Sequence, residues 1–239
     1  MARENITKGV RMGLTSIQGL IAQGRGEAFD YFLGESTTAS AFEATKAATI
    51  MLLLAEKPVL SVNGNVAALV PKEMVMLANE LKAPLEINLF HRTEERVEKI
   101  AKLLRSLGAK RVLGENPDVV LPLLDHARAK STRDGIYDAD VVMIPLEDGD
   151  RREALVRMGK KVVAVDLNPL SRTAKMATIT IVDNIIRVVP NMIASVREFS
   201  CKPIEELQVI LSNYDNNHIL RQAVKEIRAN LDRQFEEKI

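Results

Sequence analysis

Residues 162–165 read Val162-Val163-Ala164-Val165, an apolar run of good strand formers, and continue directly into Asp166-Leu167-Asn168-Pro169-Leu170-Ser171-Arg172-Thr173. A second strand is predicted over 178–182, leading into Asp183-Asn184 and the start of a helix. Two strand ends in succession therefore carry polar side chains. In an open α/β sheet the carboxyl ends of the strands are where ligands bind. Asp166 can accept from a ribose hydroxyl or an adenine amine, and Arg172 can clamp a phosphate through two N–H groups. The competing reading is a polar connector between two buried strands.

Upstream of this stretch the pattern alternates. Strands are predicted over 59–62, 85–90, 111–113 and 141–144, with helices between them: one opened by Pro71 and running to Leu81, one capped by Thr93 and ended by Gly108, and one reaching Met158. About six strands alternating with helices imply a mostly parallel sheet and an α/β fold. Residues 119–126 are ambiguous because Pro122 interrupts them, and 127–138 read as a polar loop. The helix predicted over 185–199 contains Pro190, which would kink or restart it. Two charged helical stretches, 204–212 and 218–237, follow with a hinge at 213–217. Ile219, Val224, Ile227 and Leu231 give the second an apolar stripe suited to a partner helix, to dimer support or to covering the sheet edge.

The first 57 residues are helical in pattern. Ile6, Val10, Leu14 and Ile17 recur at helical spacing, and 39–56 form an Ala- and Leu-rich buried helix ending before Pro58. Between them Gly24-Arg25-Gly26 resembles part of a dinucleotide fingerprint, but the third glycine is missing and Phe29 stands where a small residue is required. A nicotinamide dinucleotide site is rejected on that ground. A glycine-flanked arginine at a helix start can still clamp a phosphate; a turn between helices with a solvated arginine is the alternative. The division is thus 1–57 helical, 58–199 an α/β core and 200–239 a helical tail.

Three further loops carry chemistry. Asn63-Gly64-Asn65 follows a strand and reads as a ligand-facing loop with free backbone N–H groups rather than a hairpin turn. Phe90-His91-Arg92-Thr93 offers an imidazole and a guanidinium, although a lone His at such a point is more often structural. Glu147-Asp148-Gly149-Asp150 suits either magnesium or the acidic first turn of a helix. Composition excludes other classes. Basic and acidic residues balance at 33 and 32, and aromatics are 4%, against a nucleic-acid footprint. One cysteine, Cys201, rules out an internal disulfide and fits a reducing cytoplasm. The polar N-terminus and the short apolar run at 50–55 predict neither targeting nor a membrane span.

The blocks 19–31, 61–65, 141–150 and 166–183, matching in order, resemble the archaeal-type phosphopantothenate synthetases, also called 4-phosphopantoate–β-alanine ligases. The similarity covers roughly residues 3–199. It implies a Rossmann-like sheet with helices on both faces, a homodimer, and ATP-dependent joining of 4-phosphopantoate to β-alanine through an acyl adenylate in coenzyme A biosynthesis. The family's nucleotide contacts map onto Arg3, Arg25, Asp166, Leu167, Asn168, Arg172, Thr173, Asn184 and Ile185. On that mapping Arg3, Arg25 and Arg172 hold phosphates of ATP, and Asp166 and Asn168 meet ribose or adenine. Asn63, Gly64, Asn65 and Arg92 take the phosphopantoate end, and His91 is the candidate base. Magnesium (Mg2+) would bridge phosphate oxygens with few protein ligands. Family members begin with a further polar, proline-containing segment, so Arg3 here is expected to need ordering by a neighbour. An ATP-binding sensor on the same scaffold, without turnover, is the alternative function.

Overall fold

The computed structural model describes residues 2–146 and 149–236. Three helices, α1 (Ala2–Arg11), α2 (Ile17–Leu33) and α3 (Ala39–Leu53), lead into β1 (Pro58–Val62). Then come α4 (Gly64–Leu69), α5 (Pro71–Glu80), β2 (Leu85–Ile87), α6 (Glu94–Ser106) and β3 (Val112–Leu113). A small hairpin of β4 (Val119–Val120) and β5 (Lys130–Ser131) stands outside the main sheet. The chain continues through β6 (Val141–Pro145), α7 (Gly149–Arg157), β7 (Lys161–Val165), α8 (Arg172–Met176) and β8 (Ile179–Ile181). It ends in α9 (Ile185–Phe199), α10 (Ile204–Ser212) and α11 (Asn216–Glu236).

Among the described residues six strands form one sheet in the order β3-β2-β1-β6-β7-β8, every neighbouring pair parallel. This is the doubly wound order, in which strand sequence reverses between β1 and β6. Residues alternate across the sheet: Leu60, Val62, Met143, Val163 and Val165 pack in one core cluster, and Val59, Val142, Ile144, Val162 and Ala164 in another. The strands are apolar on both sides because helices or loops cover both. The α/β class and parallel sheet expected from the alternation are those observed.

Several local expectations change. The helix anticipated from Ile6 to Ile17 is two helices, because Gly13 takes a left-handed φ of 73° and Ser16 caps α2 by accepting from the Gly19 N–H at 3.2 Å. Gly24-Arg25-Gly26 opens no helix and makes no turn; it lies inside α2. The polar stretch 127–138 is not a plain loop but carries a 3-10 turn at 127–129, β5 and a π-type turn at 133–137. α9 runs on through Pro190, whose missing N–H forfeits one helical bond without stopping a helix held on the core by Val188, Val189 and Met192. A buried charge cluster ties α9 to α2. The Arg187 guanidinium bridges Asp30 and Asp183, while Asn184 Nδ2 donates to Asp30 at 2.6 Å.

Candidate functional site

The site is built where the sheet order reverses. Asn63, the residue after β1, accepts from the N–H groups of Asn65 and Val66, both at 3.0 Å, and so caps α4. Its amide donates across the reversal to the carbonyls of Pro145 at 2.9 Å and Leu146 at 3.2 Å. The N–H groups expected to be free for a ligand are therefore taken by Asn63 itself. Asn65 points the other way: its oxygen accepts from the Thr15 hydroxyl at 2.5 Å and its amide donates to the Gly19 carbonyl at 2.9 Å. Gly64 leaves room for the α1–α2 connection, since a Cβ there would stand 2.6 Å from the Leu14 carbonyl oxygen. These contacts lay α2 over the carboxyl ends of the strands.

A cavity of about 460 Å³ lies between α2 and the β7–α8 loop. Arg25, Gly26 and Phe29 face it from α2, Asp166, Leu167 and Asn168 from the loop, and Thr173 from the first turn of α8. The loop holds its own shape. Asp166 accepts from the Asn168 N–H at 3.0 Å and from the Ser171 hydroxyl, and Asn168 accepts from the Leu170 N–H at 2.9 Å. Burial pushes the Asp166 carboxyl above its usual range, against the pull of those donors and of the Arg152 charge. Apolar faces from Phe29 and Leu167, a carboxylate acceptor and a guanidinium are the groups a nucleoside phosphate requires.

A second cavity of about 330 Å³ adjoins the first and shares Ala22, Arg25, Asn65, Arg128 and Leu146 with it. Its other polar groups include His91, Arg96 and Asn63. Among the described residues its charged lining is cationic, with no carboxylate. Arg96 is fixed by donating to the carbonyls of His91 at 2.5 Å and Leu14 at 3.1 Å, and burial lowers its pKa. An anionic substrate fits such a chamber.

The structure brings Arg25, Asp166, Leu167, Asn168 and Thr173 to the first cavity, and Asn63, Gly64 and His91 to the second; Asn65 and Arg25 line both. It sets the others apart. Arg3 is exposed and paired with Glu27 at 3.0 Å, also donating to the Tyr31 hydroxyl. Arg172 packs on Gly149 and pairs with Asp150. Asn184 caps α9 behind Asp30, Ile185 is in the core, and Arg92 donates to the Gly114 carbonyl at 2.6 Å. Of the acidic group at 147–150, read as suiting magnesium or the first turn of a helix, Glu147 and Asp148 lie outside the described residues, and Asp150 is in the first turn of α7. Sequence reading missed Gln23, Phe29, Arg96 and Arg128. Phe29 was noted only as a residue too large for a dinucleotide turn, and Arg128 sits in a polar stretch where an arginine reads as solvated. Among the described residues no three His, Cys, Asp or Glu side chains gather as a metal site, and no helix is long and apolar enough to cross a membrane.

Comparison with known proteins places the chain in a family. The family model for phosphopantothenate/pantothenate synthetase matches residues 40–230. A 4-phosphopantoate–β-alanine ligase of Thermococcus kodakarensis is 56% identical over 238 residues, covering 99% of this chain and 91% of that protein. The ligase of the same name from Methanosarcina mazei is 55% identical over 231 residues, covering 97% and 91%. That from Methanospirillum hungatei is 46% identical over 231 residues, covering 97% and 93%. With a family match across most of its length and near-complete alignment to these relatives, the chain belongs to the phosphopantothenate/pantothenate synthetase family.

Proposed function

We propose that this protein is the ATP-dependent ligase that joins 4-phosphopantoate to β-alanine, releasing AMP and diphosphate and forming 4′-phosphopantothenate for coenzyme A synthesis. The observation that carries the reading is the pair of contiguous cavities, one furnished for a nucleotide and the other cationic, meeting over a shared seam. ATP takes the larger, with its base between Phe29 and Leu167, its ribose or adenine on Asp166 and Asn168, and its phosphates toward Arg25 and Thr173. The phosphate of 4-phosphopantoate takes the second, near Arg96, and its carboxylate points to the seam. A carboxylate oxygen attacks the α-phosphorus, and the bond to the bridging oxygen breaks as diphosphate leaves with the electron pair. The β-alanine amine then attacks the acyl carbon and AMP departs.

Positioning and charge stabilisation carry most of such a reaction. The amine, with a pKa of about 10, must lose a proton to attack, and His91 is the candidate acceptor because it lines the second cavity. Arg3 and Arg172 join the phosphates by exchanging Glu27 and Asp150, partnerships that solvent screens and that cost little to break. Asn184 supports the α2 wall through Asp30, Ile185 packs in the core beside it, and Arg92 steadies the loop beside His91. Magnesium enters with ATP as part of the substrate, held by phosphate oxygens and water. A cytoplasmic homodimer belongs to the same proposal. Ile17 and Ile21 of α2 are exposed, an apolar strip that a second copy would cover, and sedimentation tests it. The deciding experiment is AMP formation with ATP and magnesium, omitting 4-phosphopantoate or β-alanine in turn. AMP only when both are present supports the ligase; ATP binding with no AMP under any combination leaves a sensor.

A further inference from the structure

We propose that Arg128 is a catalytic residue of the first half-reaction, gripping the substrate carboxylate and the α-phosphoryl oxygens together where the two cavities meet. This rests on the ligase reading above. Among the described residues only two charged side chains line both cavities, Arg25 and Arg128. They differ in setting. Arg25 is an exposed residue on α2, whereas Arg128 is 7% exposed.

The backbone beneath Arg128 is fastened on every side. The Asn88 amide, just beyond β2, donates to the carbonyls of Arg128 and Lys130, both at 3.1 Å. Leu121 N–H donates to the Ala129 carbonyl at 2.7 Å, closing the β4–β5 hairpin. The buried Glu86 carboxylate takes the Ser131 hydroxyl at 2.6 Å and the Thr132 N–H at 3.0 Å. The guanidinium carbon lies 5.5 Å from the Phe90 ring centre, within cation–π range. A guanidinium so placed loses little rotamer freedom when it engages a ligand.

Chemistry asks for such a group at this point. The nucleophile is a carboxylate and the electrophile a phosphate, so two anions must approach to bonding distance before diphosphate leaves. A preorganised planar cation offers N–H groups to both oxygens, and it does most where water is displaced. As the new C–O–P anhydride forms, charge on the nonbridging α-oxygens stays against Arg128 while the departing diphosphate lies toward Arg25. The amide-forming half begins from a neutral acyl carbon and makes less demand on this residue.

The test separates the halves. Labelled diphosphate exchange into ATP, with 4-phosphopantoate and without β-alanine, reads the first half alone. In Arg128→Met the exchange rate at saturating substrates should fall about 100-fold or more. The dissociation constant of ATP alone, measured by calorimetry, should rise far less than the exchange rate falls, by no more than about tenfold. Arg128→Lys, which keeps the charge and loses the fork, should bind ATP normally and recover part of the exchange; it carries the test if the Met variant does not fold. Exchange within threefold of the parent in either folded variant overturns the proposal. Equal loss of ATP binding and exchange overturns it too, since that is the mark of a merely structural arginine. A parent enzyme with neither exchange nor AMP formation would instead remove the ligase reading itself, before any variant is made.

Discussion

Gly19 and Gly24 stand five residues apart on α2 and look alike in sequence, yet their surroundings assign them opposite roles. A Cβ on Gly19 would stand 2.3 Å from the Thr15 hydroxyl oxygen and 2.4 Å from the Asn65 amide oxygen, the two atoms that bond to each other beneath both cavities. A Cβ on Gly24 would meet nothing within 4 Å. Gly19→Ala should therefore destabilise the fold by about 1–3 kcal/mol through overpacking. It should also raise the KM for both substrates by displacing Asn65. Gly24→Ala should stabilise by about 0.5–1 kcal/mol, because glycine inside a helix carries an entropic penalty. Thermal unfolding and steady-state kinetics on the two variants decide the matter; the same sign of stability change in both would refute it. None of this was legible in the sequence. Glycine spacing suggested a phosphate-clamping arginine at residues 24–26, whereas the glycine that matters for shape is Gly19, chosen by a contact with Asn65, 46 residues along the chain.

At the scale of elements, the β4–β5 hairpin and the turn after it were the least legible part of the molecule, because short strands and polar residues leave no period to read. What organises them is Glu86, a fully buried carboxylate on β2. It accepts from the Ser131 hydroxyl, the Thr132 N–H and, at 2.6 Å, the Ile136 N–H. Burial raises its pKa above the ordinary value near 4.5, outweighing those donors and the Arg151 charge. The sign of the linkage follows. Between about 4.5 and the raised value the folded state holds a proton that the unfolded chain has released, so this group's contribution to stability falls as pH rises. Glu86→Gln cannot titrate. The stability advantage of the parent over this variant should be largest near the lower edge of that window and shrink as pH rises through it, read by urea unfolding at several pH values. A difference that grows with pH would mean that the bonds to the carboxylate dominate over its burial. By contrast Thr93, read from sequence as a helix cap, does cap α6, accepting from the Arg96 N–H at 3.3 Å. Capping is local, so sequence shows it; a clamp between β2 and a turn 45 residues later is not.

For the molecule as a whole, alternating strands and helices were enough to give the parallel sheet, since both-faces burial leaves continuous apolar runs that need no partner to recognise. The tail was harder, because an amphipathic stripe says that a helix packs without saying on what. α11 packs across the β8 edge and behind α2. Asn216 accepts from the Thr180 N–H at 2.7 Å and donates to the carbonyls of Ala174 and Ala177, so the outer edge of the sheet is closed. Asn230 donates to the Phe32 carbonyl at 3.1 Å at the far end of α2. Leu220 and Ala223 share one apolar cluster with Leu33, Leu167 and Ala174, and Phe29 packs against it. Phe29 and Leu167 are also apolar walls of the larger cavity, so the tail stands directly behind the proposed nucleotide position. Leu220→Ala should cost about 2–5 kcal/mol as a buried truncation. It should also weaken ATP binding several-fold, because both walls lose the same support. Val224→Ala, one turn away on the exposed side, should change either quantity little, within about 0.5 kcal/mol in stability. Denaturant unfolding and ATP titration on the two variants read the two effects separately. If Leu220→Ala lost stability yet bound ATP like the parent, α11 would be a cover for the sheet edge alone, and the cavity walls would be held from α2 and the β7–α8 loop without it.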